Sequence, residues 1–127
     1  MNIFGIGTDI VSVDRVKKSL KNKNFINRVF NSKEILKCKK IINKFNCYSK
    51  RFAAKEAFSK ALGTGISNGI NLNEIIILNK KSGRPYITLS GQTKKIIENK
   101  FKKKKIKISL SLSDEKKYAV AFVTISL

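Results

Sequence analysis

Apolar positions along this chain fall in short runs whose period switches repeatedly between that of a strand and that of a helix. Residues 2–13, rich in isoleucine and valine, predict a strand, and Gly5 and Gly7 within it mark a bulge or a close approach of another backbone. Asp14 is placed to cap a short basic helix running to about Lys21. Helical spacing returns over Phe25 to Phe30, and Ser32 with Glu34 opens a further helix to about Asn43. The strongest helical pattern covers Ser49 to Leu62, with Ala54, Ala57, Phe58, Ala61 and Leu62 on one apolar stripe and Gly63 as terminator. Ile75 to Leu78 and Tyr86 to Leu89 predict a hairpin turning through Lys80 to Arg84, and Gln92 to Phe101 a short helix. Ile106, Ile108, Leu110 and Leu112 alternate with Lys107, Ser109 and Ser111, the pattern of a strand with one wet face. Tyr118 to Ile125 is almost continuously apolar and predicts a buried central strand. The sum is an α+β fold of helices packed on a mostly antiparallel sheet.

Length and composition narrow the function. A chain of 127 residues suits a single domain over residues 1–127, and 42% hydrophobic residues in short segments exclude disorder. No apolar stretch approaches the ~20 residues that span a bilayer, and the start lacks the basic opening of a signal peptide, so a cytoplasmic protein without a membrane partner is expected. Cys38 and Cys47 lack the C-x-x-C spacing of a redox or zinc site and read as free thiols. The absence of histidine removes Ser-His-Asp and Cys-His nucleophile systems and H-E-x-x-H zinc sites together, leaving carboxylates, lysines, hydroxyls or a bound metal for any catalysis. The net charge of +20 invites an RNA- or ribosome-binding alternative, with aromatics such as Tyr48 and Phe52 among basic residues. Only Arg15, Arg28, Arg51 and Arg84 of the 28 basic residues are arginine, however, and abundant lysine, asparagine and isoleucine share A/T-rich codons. Base composition therefore accounts for much of the charge without nucleic acid, and no RNP-like, KH or zinc signature accompanies it. The run Lys102 to Lys105 reads as a solvated helix end or loop.

With eight acidic residues, each can be weighed. Asp14 reads as a helix cap, Glu34 as a first-turn residue favoured by the helix dipole, and Glu98 as an exposed helix charge between Lys94 and Lys102. Glu74, Asp114 and Glu115 sit at a strand start or in a turn. Asp9 interrupts an apolar run, where its charge is costly to bury without a lysine partner or a metal. Glu56 points roughly opposite the apolar stripe of its helix, and Lys60, one turn on, shares its face, as a simple i, i+4 ion pair would also require. Converging, Asp9 and Glu56 would form an all-oxygen site suited to Mg²⁺ completed by waters and phosphate oxygens. Gly63-Thr64-Gly65 could admit a phosphate to backbone amides, but also reads as a plain helix stop, and no Walker A loop is present.

Two motifs, Gly5-Ile6-Gly7-Thr8-Asp9-Ile10-Val11 and Arg51-Phe52-Ala53-Ala54-Lys55-Glu56-Ala57, resemble those of the short bacterial type of the 4′-phosphopantetheinyl transferase family. The similarity continues through residues 59–66, the turn Gly83-Arg84-Pro85, and the closing residues 110–115 with Tyr118-Ala119. The resemblance implies a 4′-phosphopantetheinyl transferase-like fold, a homotrimer with sites between subunits, and transfer of the 4′-phosphopantetheine arm of coenzyme A to a serine of acyl carrier protein in fatty acid biosynthesis. It implies Mg²⁺ on Asp9 and Glu56, Lys60 facing the coenzyme phosphates, and Arg51, Ser59, Gly63, Gly65, Arg84 and Pro85 lining the coenzyme site. Asp114 stands where many members carry a histidine, so a coenzyme contact by that histidine does not carry over. Deprotonation of the carrier serine would fall to Glu56, Asp9 or a water on the metal. Arg15, Lys18 and Arg28, on predicted basic helical segments, could meet the acidic carrier protein.

Overall fold

The computed structural model describes residues 2–63 and 69–127. Strand β1 (Ile3–Ser12) leads into α1 (Val13–Ser19), α2 (Lys23–Val29), α3 (Ser32–Lys39) and the long α4 (Lys44–Leu62). A 3-10 turn at Leu72–Glu74 opens the hairpin β2 (Ile75–Asn79) and β3 (Pro85–Leu89), followed by α5 (Gly91–Lys100), β4 (Lys107–Asp114) and β5 (Tyr118–Ser126). β5 lies between β1 and β4, antiparallel to both, while β2 and β3 form a separate two-stranded sheet.

Local chemistry sets most element ends. Ser12, not Asp14, caps α1, its Oγ accepting from the Arg15 N–H at 3.3 Å, and Asp14 falls in the first turn. Asn31 and Glu34 close a capping box on α3. Gly63 ends α4 in the left-handed region at φ 82°, which costs glycine nothing. α4 begins five residues before the expected Ser49 because Cys47 and Tyr48 find burial in the core, with Tyr48 edge-on to Phe30.

The core lies between α4 and one face of the three-stranded sheet. Ala119, Ala121, Val123 and Ile125 of β5 meet Ala57, Phe58, Ala61 and Leu62 of α4, all essentially buried. Gly5 and Gly7 face the same helix, and a Cβ on either would run into the carbonyl oxygen of Ala61 or Ala57. The expected close approach is therefore real, and a register irregularity between Ile3 and Gly5 supplies the expected bulge as well.

Two expectations are overturned. Cys38 and Cys47 are not free thiols: they are bonded to each other, with Cα atoms 5.5 Å apart. The turn between α3 and α4 folds the two helices side by side, so residues far apart on a C-x-x-C scale come face to face. β5 is central but buried on one face only, because none of the described residues covers the other. Tyr118 is 48% exposed and Phe122 45%, beside Ile6 and Ile10 of β1 at 62% and 64%.

Candidate functional site

β1 presents Gly5, Gly7 and Asp9 on one face by its two-residue period, with Asp9 opposite the buried Ala121 of β5. This is the face against α4, so the two glycines bring the strand close enough for Asp9 to meet the helix. Glu56 sits on α4, half-buried, and the two carboxylates sense each other. Burial, then the Asp9 charge, raises the Glu56 carboxyl above the usual glutamate range, with Lys60 pulling the other way.

Lys60 completes the group. Helix side chains lean toward the N-terminus, so Lys60 reaches back along α4 to donate to Asp9 Oδ1 at 3.0 Å and to the Thr8 carbonyl oxygen at 2.9 Å. Its ion pair is thus with Asp9, not with Glu56 one turn away. The Lys60 side chain remains 56% exposed, against 17% for Asp9. Glu56 opens onto a cleft of about 370 Å³ whose walls include Arg28, Phe52, Ile70, Leu72 and Asn73. A smaller hollow beside Arg15 shares Phe25 and Phe52 with that cleft.

Asp9 and Glu56 are two carboxylates whose charges act on each other, an oxygen-only donor chemistry that a cation between them would satisfy. That chemistry fits Mg²⁺, with remaining positions left to water and phosphate oxygens. Among the described residues no group of three or more histidine, cysteine, aspartate or glutamate side chains gathers, so protein ligands beyond this pair are not assembled.

The other expected residues are placed unevenly. Ser59 is buried, and its hydroxyl donates to the Lys55 carbonyl oxygen at 3.0 Å. Gly63 ends the helix that carries Lys60, whereas Gly65 lies outside the described residues. Arg84 is exposed, and Pro85 opens β3. Arg51 is buried, yet it connects with that turn through Asn79, a residue the motifs did not single out. Arg51 Nη2 donates to Asn79 Oδ1 at 2.9 Å, and Asn79 Nδ2 donates to the Gly83 carbonyl oxygen at 3.0 Å. Among the described residues Arg51 Nε has no hydrogen-bond partner. Asp114, in place of the histidine of the resembled motif, accepts from Asn46 Nδ2 at 2.8 Å and pairs with Lys50 at 3.4 Å.

Sequence reasoning also missed Lys55 and the use of Glu34. Lys55 is fully buried, pairs with Glu34 at 2.7 Å, and donates to the carbonyl oxygens of Leu72 and Ile75. Burial pulls the Lys55 ammonium below the ordinary lysine range, opposed by the Glu34 charge. The signal was available: on a helical wheel Lys55 falls about 20° from Leu62 and about 60° from Phe58, inside the apolar side of α4.

Residues 5–123 match the family described as the 4′-phosphopantetheinyl transferase superfamily. The chain belongs to that family. A curated relative, holo-[acyl-carrier-protein] synthase of Pelagibacter ubique, is 55% identical over 123 residues, covering 97% of this chain and 96% of the relative. The crystal structure of holo-[acyl-carrier-protein] synthase from Neisseria meningitidis superposes with a TM-score of 0.86 at 36% identity, covering 99% of this chain and all of that one. The Helicobacter pylori synthase, solved in complex with coenzyme A, superposes with a TM-score of 0.80 at 35% identity, covering 95% and 99% of the two chains. The α+β transferase fold is therefore shown, and the RNA-binding alternative finds no support among these relatives.

Proposed function

We propose that this chain transfers the 4′-phosphopantetheine group of coenzyme A to a serine of apo acyl carrier protein, acting as a holo-[acyl-carrier-protein] synthase in fatty acid biosynthesis. The observation that carries the reading is the convergence of Asp9 and Lys60 on Glu56, which lines a cleft, in a chain of this family. The carrier serine oxygen forms a bond to the pantetheine-side phosphorus of the coenzyme pyrophosphate, and the bond to the bridging oxygen breaks, releasing adenosine 3′,5′-bisphosphate. Incubating the protein with Mg²⁺, coenzyme A and apo carrier protein, then weighing the carrier, tests this: a phosphopantetheine mass gain is expected, and an unchanged mass rejects it.

In this reading Asp9 and Glu56 hold magnesium, which supplies charge neutralisation and a template for the pyrophosphate when bound. Lys60, exposed and already a donor to Asp9, offers its ammonium to phosphate oxygens and stabilises the leaving charge. Proton removal from the serine hydroxyl falls to a carboxylate of this pair, Glu56 or Asp9, and Asp9 orients Lys60. Arg51, Ser59, Gly63, Gly65, Arg84 and Pro85 contribute the coenzyme-binding surroundings, with Asn79 linking Arg51 to the Gly83 turn. The acidic carrier docks on α1 and α2, where Arg28 lines the Glu56 cleft, Arg15 lines the hollow that shares Phe25 and Phe52 with it, and Lys18 adds charge.

The working protein is a single-domain homotrimer of the cytoplasm. The uncovered apolar face of β1 and β5 supports burial against other copies, and no helix among the described residues is long and apolar enough to cross a membrane. Sedimentation at micromolar concentration tests assembly: a mass of three chains is expected, and a monomer rejects it.

A further inference from the structure

The cleft that Glu56 lines is also lined by the short segment Ile70 to Asn73, and a buried charge bonds that segment through Leu72. All three protons of the Lys55 ammonium are engaged, by Glu34 Oε1 and by the carbonyl oxygens of Leu72 and Ile75. Glu34 in turn accepts from the Asn31 N–H at 2.9 Å and the Ile77 N–H at 3.1 Å. One ion pair thereby joins the start of α3, the middle of α4, the 3-10 turn and β2. Asn31 Nδ2 also donates to the Asn73 carbonyl oxygen at 3.4 Å, bringing a second bond from the same cap to the same wall.

Lys55 and Glu56 are consecutive on α4, so about 100° separates their directions: one side chain enters this hub as the other enters the cleft. Any shift of the hub relative to α4 moves Leu72 and Asn73 relative to Glu56. An apolar pair of similar volume would fill the space, but would define no register between wall and helix. Directional bonds to two carbonyls and a carboxylate allow essentially one arrangement, and buried ion pairs are weak devices for stability alone.

We propose that Lys55, acting through its buried pair with Glu34, is a positioning residue for the transfer reaction: it sets the spacing between the Leu72–Asn73 wall and the Glu56 face of α4. The inference rests on Glu56 serving that reaction. Lys55 touches no substrate in this account. Its effect is on the geometry in which substrate is held, where displacements of about 1 Å can cost ~100-fold in rate.

The test is the neutral pair Glu34→Gln with Lys55→Met, which removes both buried charges and leaves an amide whose oxygen keeps one of the two N–H bonds and whose NH2 can donate to a freed carbonyl. Steady-state transfer kinetics and amide hydrogen exchange are measured on the same folded protein. Expected are a kcat lowered at least about 10-fold, a KM for coenzyme A changed less than about 3-fold, and faster exchange confined to residues 70–77. A folded pair with the parent kcat overturns the proposal, as does a lowered kcat with unchanged exchange in that segment. Should the pair fail to fold, Lys55→Arg, which keeps the buried charge paired with Glu34 but changes its geometry, is read by the same two criteria. Glu56→Ala run alongside separates the two readings: full activity in that variant sinks the role of Glu56, whereas an inactive Glu56→Ala beside a fully active neutral pair sinks only the role of Lys55.

Discussion

Helix α4 carries two lysine–carboxylate pairs that are alike in chemistry and opposite in setting. Lys55 and Glu34 are both fully buried, and their bonds go to the protein itself. Lys60 and Asp9 pair at 3.0 Å at the surface, with the lysine more than half exposed beside a second carboxylate whose charge it only partly offsets. The first pair is electrostatically closed, and removing either member strands a charge. The second is open, and an arriving cation or phosphate can add to it. Exposed pairs contribute little to folding, so holding Asp9, Glu56 and Lys60 together is left to the backbone of β1 and α4.

The sharpest way to break this contrast is at the open site. Asp9→Ala and Glu56→Ala, measured by carrier modification, are each expected to lower transfer at least about 100-fold with the fold intact by circular dichroism, since even neighbours of metal ligands cost ~10–100-fold. Near-normal Mg²⁺-dependent activity in either folded variant removes that residue from the site. Stability should show the reverse order. Lys55→Met alone strands Glu34 and is expected to cost about 3–5 kcal/mol in urea unfolding, whereas Lys60→Ala should stay within about 1 kcal/mol of the parent. Equal losses would erase the distinction. In turnover, Lys60→Ala should fall well below Lys103→Ala, a distant surface change, and equal small effects would return Lys60 to a solvent-facing role.

Further from the site the expected effects diminish. Arg15→Glu and Arg28→Glu should raise the KM for carrier protein, leave coenzyme A affinity nearly unchanged and weaken the salt dependence of association. A loss confined to coenzyme A binding would move the docking surface elsewhere. Glu74 offers a third setting for a carboxylate. Burial alone would raise its carboxyl, but hydrogen bonds from Asn71, Thr93 and the Gln92 N–H together pull it below the glutamate value of 4.5. A carboxyl lowered on folding stabilises above its unfolded value and loses that contribution as pH falls through the folded one. Acid titration of the parent should therefore show a small stability loss below pH 4.5 that Glu74→Gln lacks. Identical acid limbs would show that these bonds do not distinguish folded from unfolded Glu74.

The elements legible in the sequence are those whose partners are local. The period of residues 49–62, the hairpin turn at Lys80 to Arg84 and the alternation before Leu112 all match observed elements. Asp9 and Glu56 stood out because each lacked an ordinary structural use, and they are near each other in the fold. What escaped depends on contacts between distant segments. The apolar run of β5 reads the same whether one face or two are covered, and only the placement of α4 shows that one remains open. The Cys38–Cys47 bond depends on how α3 folds back on α4. Lys55 entered only as a member of the second motif, with its place on the wheel unused, and Asn79 joins Arg51 to the Gly83 turn through contacts that neither motif contains.

The contact of Gly5 and Gly7 with the carbonyls of Ala61 and Ala57 has a consequence for how this sequence can change over generations. Because β1 and α4 meet backbone to backbone, the separation of Asp9 from Glu56 is measured in peptide units, and no side chain elsewhere sets it. Surface codons can drift freely toward lysine, asparagine and isoleucine without altering that measure. A single methyl group at either glycine is enough to wedge strand from helix. The chain can thus accumulate 24 lysines and keep its catalytic spacing, while tolerating almost nothing at two positions that carry no side chain at all.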